Sequence, residues 1–489
     1  MPYSGNHTGV DLGDLGWFEK SNRGQLSREA ACFGLELAQL AYDFEAGPWL
    51  AAGWTDLVIQ VDQRLLSGVR SMDEVGNFRQ QIMNLVLPRL AKSLSLVSSP
   101  INEIRSYFQK TTAQETGKAI VLIRPDGDGR FTVAVGFMGT GRRPQDWAGN
   151  MRFGHEDHFH EGFSMIAAQF EENAPEIHFP AAAKALGLED LTLKDVLEAC
   201  KKPGSPFRLV AAGHSQGAAV LQVWAYRRLM DGFLPENLVG FGFASPQAAV
   251  DLPRDEVRCP LTHFLVSEDL FTRMGLRDHL GTCWRLEADE GFRAACYGKN
   301  RDNPLFLQTL ALFEQLKDTP SALLFCLAYL EALSQRPHKA IGTSLAVFVE
   351  SSLAEMLPVL AEEWTRRMMR LTMRSFAKFY SDAAGAPADP LELSAVRDQL
   401  AELMDLYGAV AFSQMLFKTL HQTHALVNAD NGLGEMAPYA YLVNHAFDRL
   451  QRVPEPPERL ESAGVQTLPE AGDSAAGAAP PTLISSKRP

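Results

Sequence analysis

A serine becomes a nucleophile when a sharp turn presents its hydroxyl, small neighbours let that turn close, and a base can take its proton. Gly213-His214-Ser215-Gln216-Gly217 supplies the first two. It follows an apolar run, Arg208-Leu209-Val210-Ala211-Ala212, and leads into a helical stretch from Ala218 to Met230. Strand, turn and helix in that order put Ser215 on an elbow, with Gly213 and Gly217 where a Cβ would clash as strand and helix approach. The Gln216 amide then points toward a developing oxyanion, near the positive end of the helix. A bare Gly-x-Ser-x-Gly pattern arises by chance about 0.2 times in a chain this long at ordinary glycine content. The strand before it and the helix after it are therefore what give it weight. The chemistry is acyl transfer through a covalent acyl-enzyme, which needs no cofactor.

A second constellation, Gly136-Phe137-Met138-Gly139-Thr140-Gly141, ends another apolar run and is followed by Gln145-Asp146-Trp147. A strand ending in Gly-Thr can offer a second oxyanion donor through the Thr140 amide, assisted by its hydroxyl. Without Ser215 the same residues read as a glycine-rich turn. His155, His158 and His160, with Glu156 and Asp157 among them, are metal-ligating types, but they lack the His-Glu-x-x-His helical spacing of zinc hydrolases. No metal is expected there.

The elements that must position these groups follow from periodicity. Leu26 to Phe44 carries Ala30, Phe33, Leu37, Leu40 and Ala41 at helical spacing, and a helical region is expected from about Trp54 to Phe108. Ala119 to Ile123 and Phe131 to Phe137 read as strands joined by the turn Asp126-Gly127-Asp128-Gly129. After the elbow come two more apolar strands, Leu238 to Phe243 and Leu261 to Val266. Strands alternating with helices imply an α/β fold with a mostly parallel sheet covered on both faces. Beyond Asn303, Leu305 to Leu333, Ser344 to Tyr380 and Leu391 to Val427 read as helices, whose stripes, Met368, Met369 and Met373 included, are core packing. From Pro454 a Gly, Ala, Ser and Pro-rich run is expected to be disordered. The expected organisation is an N-terminal helical segment over 1–116, the α/β core over 117–300, a helical section over 301–453 and a tail over 454–489.

Taken together, Phe137-Met138-Gly139-Thr140 with Asp146-Trp147, His160-Glu161-Gly162-Phe163, the elbow through Ala219, Phe243-Ala244-Ser245-Pro246, and Ser267-Glu268-Asp269 with Arg273 resemble a class 3 (fungal-lipase-like) lipase. They run in that family's order from about Gly117 to Trp284. Met138 stands where the family usually has Arg, and Ala244 where it has Gly. The resemblance implies an α/β-hydrolase core and a Ser-Asp-His triad with the acid in the loop after Leu261 to Val266. Asp269 occupies that place, with Glu268 and Asp278 as competitors. It also implies a base near the C-terminal end, where Asn444-His445-Ala446-Phe447 fits the pattern. His445 is preferred, and His338 is the runner-up; His421, His424 and His279 read as surface or packing histidines. The histidines near 155–160 would then lie by the lid or mouth of the site.

Composition narrows the partners. With 46 Lys plus Arg against 59 Asp plus Glu, the net charge of −13 offers no general attraction to nucleic acid or anionic bilayers. Peripheral contact with a lipid surface would have to rest on apolar groups. Six cysteines without a Cys-x-x-Cys pair read as reduced thiols, and the first twenty residues lack a secretory pattern, so a cytoplasmic location is expected. No apolar stretch is long enough to span a bilayer. The expected function is hydrolysis of lipid carboxylic esters, of lipase or phospholipase type. The alternative is a catalytically silent lipase-like scaffold that binds protein partners.

Overall fold

In the computed structural model of the chain, the described residues are 8–43, 46–61, 64–69, 118–140, 155–156, 158–249, 259–273, 278–315, 328–329, 332–333, 390–426 and 436–454. The expectations for His338, for 344–380 and for the tail beyond 454 lie outside them.

Nine strands form one sheet. In chain order they are β1 (Thr55–Val61), β2 (Arg64–Val69), β3 (Lys118–Pro125), β4 (Phe131–Phe137), β5 (Phe207–His214), β6 (Leu238–Phe243), β7 (Leu261–Val266), β8 (Thr282–Leu286) and β9 (Gln451–Arg452). Across the sheet the order is β9-β8-β7-β6-β5-β4-β3-β1-β2. The neighbours from β4 to β8 pair in parallel, and antiparallel strands close both edges. Thr55–Val61 and Arg64–Val69 differ from the helical expectation for this region: they pair with each other, and β1 also pairs with β3. The reason is legible afterwards. Leu57, Val58 and Ile59 are all buried, and a β-rich run covered on both faces lacks the alternation that marks a half-exposed strand.

Along the strands successive side chains turn to opposite cores, as a sheet covered on both faces requires. Val210 and Ala212 face one core, and Leu209 and Ala211 face the other. The first core is closed by α1 (Arg28–Asp43), which brings Phe33 and Leu37 onto the sheet. The second is closed by α2 (Glu161–Glu172) and α3 (Gln216–Met230), through Phe163, Phe170, Leu221 and Trp224. The chain is thus an α/β fold with helices on both faces.

The helical section adds α4 (Pro304–Gln315), α5 (Pro390–Tyr407), α6 (Ala409–His424) and α7 (Pro438–His445), all on the α1 side. One expected helix over 391–427 is two, because Gly408 sits at φ +84°, a left-handed conformation that ends α5 and turns the chain into α6. Among the described residues no helix is long and apolar enough to cross a membrane, and five cysteines, at 32, 200, 259, 283 and 296, carry no disulfide.

Candidate active site

Parallel register brings the chemistry-bearing residues to one edge. Phe137 at the end of β4 pairs with Gly213, and His214 at the end of β5 pairs with Phe243. The next residues out, Met138 to Thr140, Ser215, Ala244 and Ser267 to Asp269, therefore cluster beyond the carboxyl ends of the strands, where open α/β sheets bind ligands.

Ser215 is at φ 56° and ψ −127°, a strained conformation for a residue with a Cβ, and α3 begins directly after it. Its amide donates to the Phe243 carbonyl at 2.9 Å, which ties the turn to β6. A Cβ on Gly213 would lie 2.5 Å from backbone atoms of Gly217, and one on Gly217 would strike the Phe137 carbonyl. Glycine at both places lets strand and helix close on each other. Gly139 packs on the elbow from the other side: a Cβ there would lie 2.5 Å from the His214 carbonyl and 3.2 Å from Ser215 Cβ. The turn carrying Thr140 is thereby held against Ser215, next to the N-terminus of α3, where Gln216 stands.

Asp269 is fully buried. Its Oδ1 accepts from the Phe271 amide at 3.0 Å, and its Oδ2 from the Tyr439 hydroxyl at 2.6 Å. The imidazole that meets it belongs to His424, whose Nδ1 lies 3.1 and 2.9 Å from Oδ1 and Oδ2. A carboxylate can only accept, so Nδ1 carries a proton and the neutral ring keeps its lone pair on Nε2. That nitrogen is buried and makes no hydrogen bond. The ring is bounded by Phe271, at 4.4 Å between centroids, and His214, at 4.8 Å.

His424 is the last residue of α6, so its carbonyl has lost its helical partner. His214 Nε2 donates to that carbonyl at 2.8 Å, and His214 Nδ1 accepts from the Tyr42 hydroxyl at 2.8 Å. A carbonyl acceptor on one nitrogen fixes the proton there, so the tautomer of His214 follows. Burial, and next the neighbouring His424, hold the His214 imidazolium pKa well below the usual histidine value, so the ring stays neutral.

The structure therefore sets the Thr140 turn against Ser215, and it brings His424, not His445, onto Asp269. His445 ends α7 and is exposed beside Tyr441. The buried face of α7 runs through Tyr439, Ala440, Leu442 and Val443, which leaves position 445 outside it and turns Tyr439 inward instead. Glu268 faces away from His424, accepting from Tyr297 at 2.5 Å and from Arg293, and Asp278 pairs through its backbone with Ala249. A signal for His424 exists in the sequence: Leu416, Leu420 and His424 stand four apart, a histidine in line with an apolar stripe.

Ala244, where glycine is the usual residue in the resembled pattern, is at φ 50°. His160 stacks on Phe163 at 4.2 Å, and burial pushes its imidazolium pKa down to about 3. Among the described residues no group of three or more His, Cys, Asp or Glu could hold a metal ion.

No family model matches the chain, and no curated protein matches it either. Solved structures do. Rhizomucor miehei lipase in its propeptide complex is 15% identical, over 35% of this chain and 52% of that one, at a TM-score of 0.25. A lipase from Rhizopus microsporus var. chinensis is 16% identical over 35% and 58%, also at 0.25. Lipase II from Rhizopus niveus is 16% identical over 35% and 62%, at 0.24. The chain thus spans between about half and three-fifths of the length of these structures.

Proposed function

We propose that this chain is a serine hydrolase that cleaves carboxylic esters of lipids through Ser215, His424 and Asp269. The observation that carries the reading is the Nδ1 contact of His424 with buried Asp269, which leaves Nε2 without a hydrogen bond on a ring packed beside the elbow. As Ser215 Oγ attacks the ester carbonyl, His424 Nε2 takes its proton and Asp269 stabilises the imidazolium. The amides of Gln216 and Thr140 receive the oxyanion. Collapse passes the proton to the leaving alcohol, and a water activated by the same nitrogen releases the acid and restores Ser215. The lipid character of the substrate rests on the class 3 lipase resemblance. A reducing compartment such as the cytoplasm suits the five described cysteines, which carry no disulfide.

Labelling with a fluorophosphonate probe, with Ser215→Ala as control, tests this directly, followed by turnover of short and long acyl esters. Ser215-dependent labelling with ester turnover is expected. No labelling of the wild type would remove the enzyme reading and leave the lipase-like scaffold.

A further inference from the structure

Besides the triad contacts, one more side chain reaches the acid. Tyr439, on the first turn of α7, is fully buried and donates to Asp269 Oδ2 at 2.6 Å, the oxygen that also faces His424 Nδ1. A hydroxyl donating to a carboxylate at this distance forms a charge-assisted bond, roughly twice as strong as a neutral one. Burial, and then the charge of Asp269, push the Tyr439 phenol pKa well above its ordinary value, so the group remains a donor.

We propose that Tyr439 is a positioning residue that sets the basicity of His424 by sharing the carboxylate of Asp269. The inference rests on the triad reading above. The negative charge on Asp269 is what stabilises the imidazolium, and each donor that draws on that charge weakens the stabilisation. With Tyr439 in place the base binds its proton less tightly. Without it the carboxylate serves His424 more fully, and His424 holds a proton to higher pH.

The other groups around the pair remain the same whether or not the hydroxyl is present. His214, backed by Tyr42, faces the His424 ring from the elbow, and His421 is the next histidine along α6. Glu268, beside Asp269, is engaged by Tyr297 and Arg293. Arg273 is buried below, donating to the Phe313 and Ser267 carbonyls. The Glu268 arrangement is instructive: that carboxylate also takes a tyrosine hydroxyl, but its second partner is a permanent cation. On Asp269 the second partner is a titrating imidazole, so there the tyrosine can tune a protonation equilibrium.

Tyr439→Phe keeps the packing and removes the donor, while 3-fluorotyrosine at 439 supplies a more acidic, stronger donor. The acid limb of the kcat/KM profile against pH, on a short-chain ester, is expected to move up by about 0.5 to 1 pH in Tyr439→Phe. It is expected to move down, by less, in the fluorinated protein. The same opposite movements are expected for the His424 ring followed by nitrogen NMR in a Ser215→Ala background, its signal assigned by loss in His424→Gln. That readout needs no turnover. An inactive wild type whose ring midpoint still moves both ways would therefore sink the hydrolase reading and keep this one. A ring midpoint unmoved in both proteins, or moved the same way in both, would overturn the role of Tyr439. If Tyr439→Phe does not fold, the fluorinated protein alone decides, because a packing defect has no reason to lower the midpoint.

Discussion

The Ser215 side and the His424 side of this site are built differently. Ser215 is held by backbone: Gly213 against Gly217, Gly217 against the Phe137 carbonyl, Gly139 against the His214 carbonyl. His424 is held by side chains drawn from four separate stretches, with Asp269, Tyr439, His214 and Tyr42 each contributing one hydrogen bond to a chain that ends at its ring or its carbonyl. Backbone proximity demands glycine, and glycine at fixed spacing can be read from a sequence. A side-chain network can be assembled from many residue types at many separations, so it leaves little trace.

The comparison breaks first if the base is elsewhere. His424→Ala is expected to lower kcat for ester hydrolysis by on the order of 10⁴-fold or more. His445→Ala, an exposed substitution, should leave it within about twofold. Single-site kinetics on both variants decide, and the reverse outcome would reassign the base.

This contrast also explains what the sequence disclosed. The hairpin at Asp126 to Gly129, the strands 238–243 and 261–266, the elbow and Asp269 all carry local signals, either turn residues or an apolar run of strand length. The helical expectation near Trp54 fails because Leu57, Val58 and Ile59 are buried together in a doubly covered strand, whose apolar run looks the same in either conformation. The histidine that meets Asp269 is hard to read from the sequence for a different reason. Its identity depends on which of several helices turns a histidine toward Asp269, and that is decided by the break at Gly408 and the inward face of α7, neither of which the spacing of histidines encodes.

On the Ser215 side, Gly217→Ala should cost about 2 to 4 kcal/mol, because the added methyl meets backbone of Phe137 and Met138 that cannot rotate away. Gly127→Ala, where no atom lies within 4 Å, is the control and should fall within about 0.5 kcal/mol of wild type. Urea unfolding midpoints measure both, and equal costs would show that the elbow is not held by close backbone approach.

Beside the His214 ring of the elbow, the fold buries further neutral histidines, and together they give it a pH dependence. His160 and His263 have imidazolium pKa values pushed down by burial to about 3, and His214 is also pushed far down. A folded pKa below the unfolded one means that the unfolded chain takes up protons that the folded chain refuses. Stability is therefore fully present above about pH 6.5 and lost as pH falls from there toward 3, by about 1.4 kcal/mol per pH for each such histidine. Urea unfolding at pH 7 and pH 5 should show the loss, reduced in His160→Phe, in which the aromatic contact with Phe163 is kept. An unchanged difference between the two pH values in that variant would remove His160 from the account.

Tyr42 is where the two sides meet, and it gives the smallest and most specific test. Its hydroxyl donates to His214 Nδ1, and it is also the atom that a Cβ on Gly139 would strike, so it touches the base network and the oxyanion turn together. Tyr42→Phe keeps the ring and removes the donor. The His424 carbonyl still holds the His214 proton on Nε2, but buried Nδ1 is left without its donor and the ring loses the contact that orients it. The anchor of the last turn of α6 loosens with it. A neutral hydrogen bond contributes about 1 kcal/mol, so kcat on a short-chain ester should fall about three- to tenfold, with KM little changed because no ester-binding group is altered. Nitrogen NMR should show the His214 Nε2–H signal, which reports its bond to the His424 carbonyl, moved. If kcat falls while that signal stays put, Tyr42 acts through the oxyanion turn alone, and the side-chain network ends at His214.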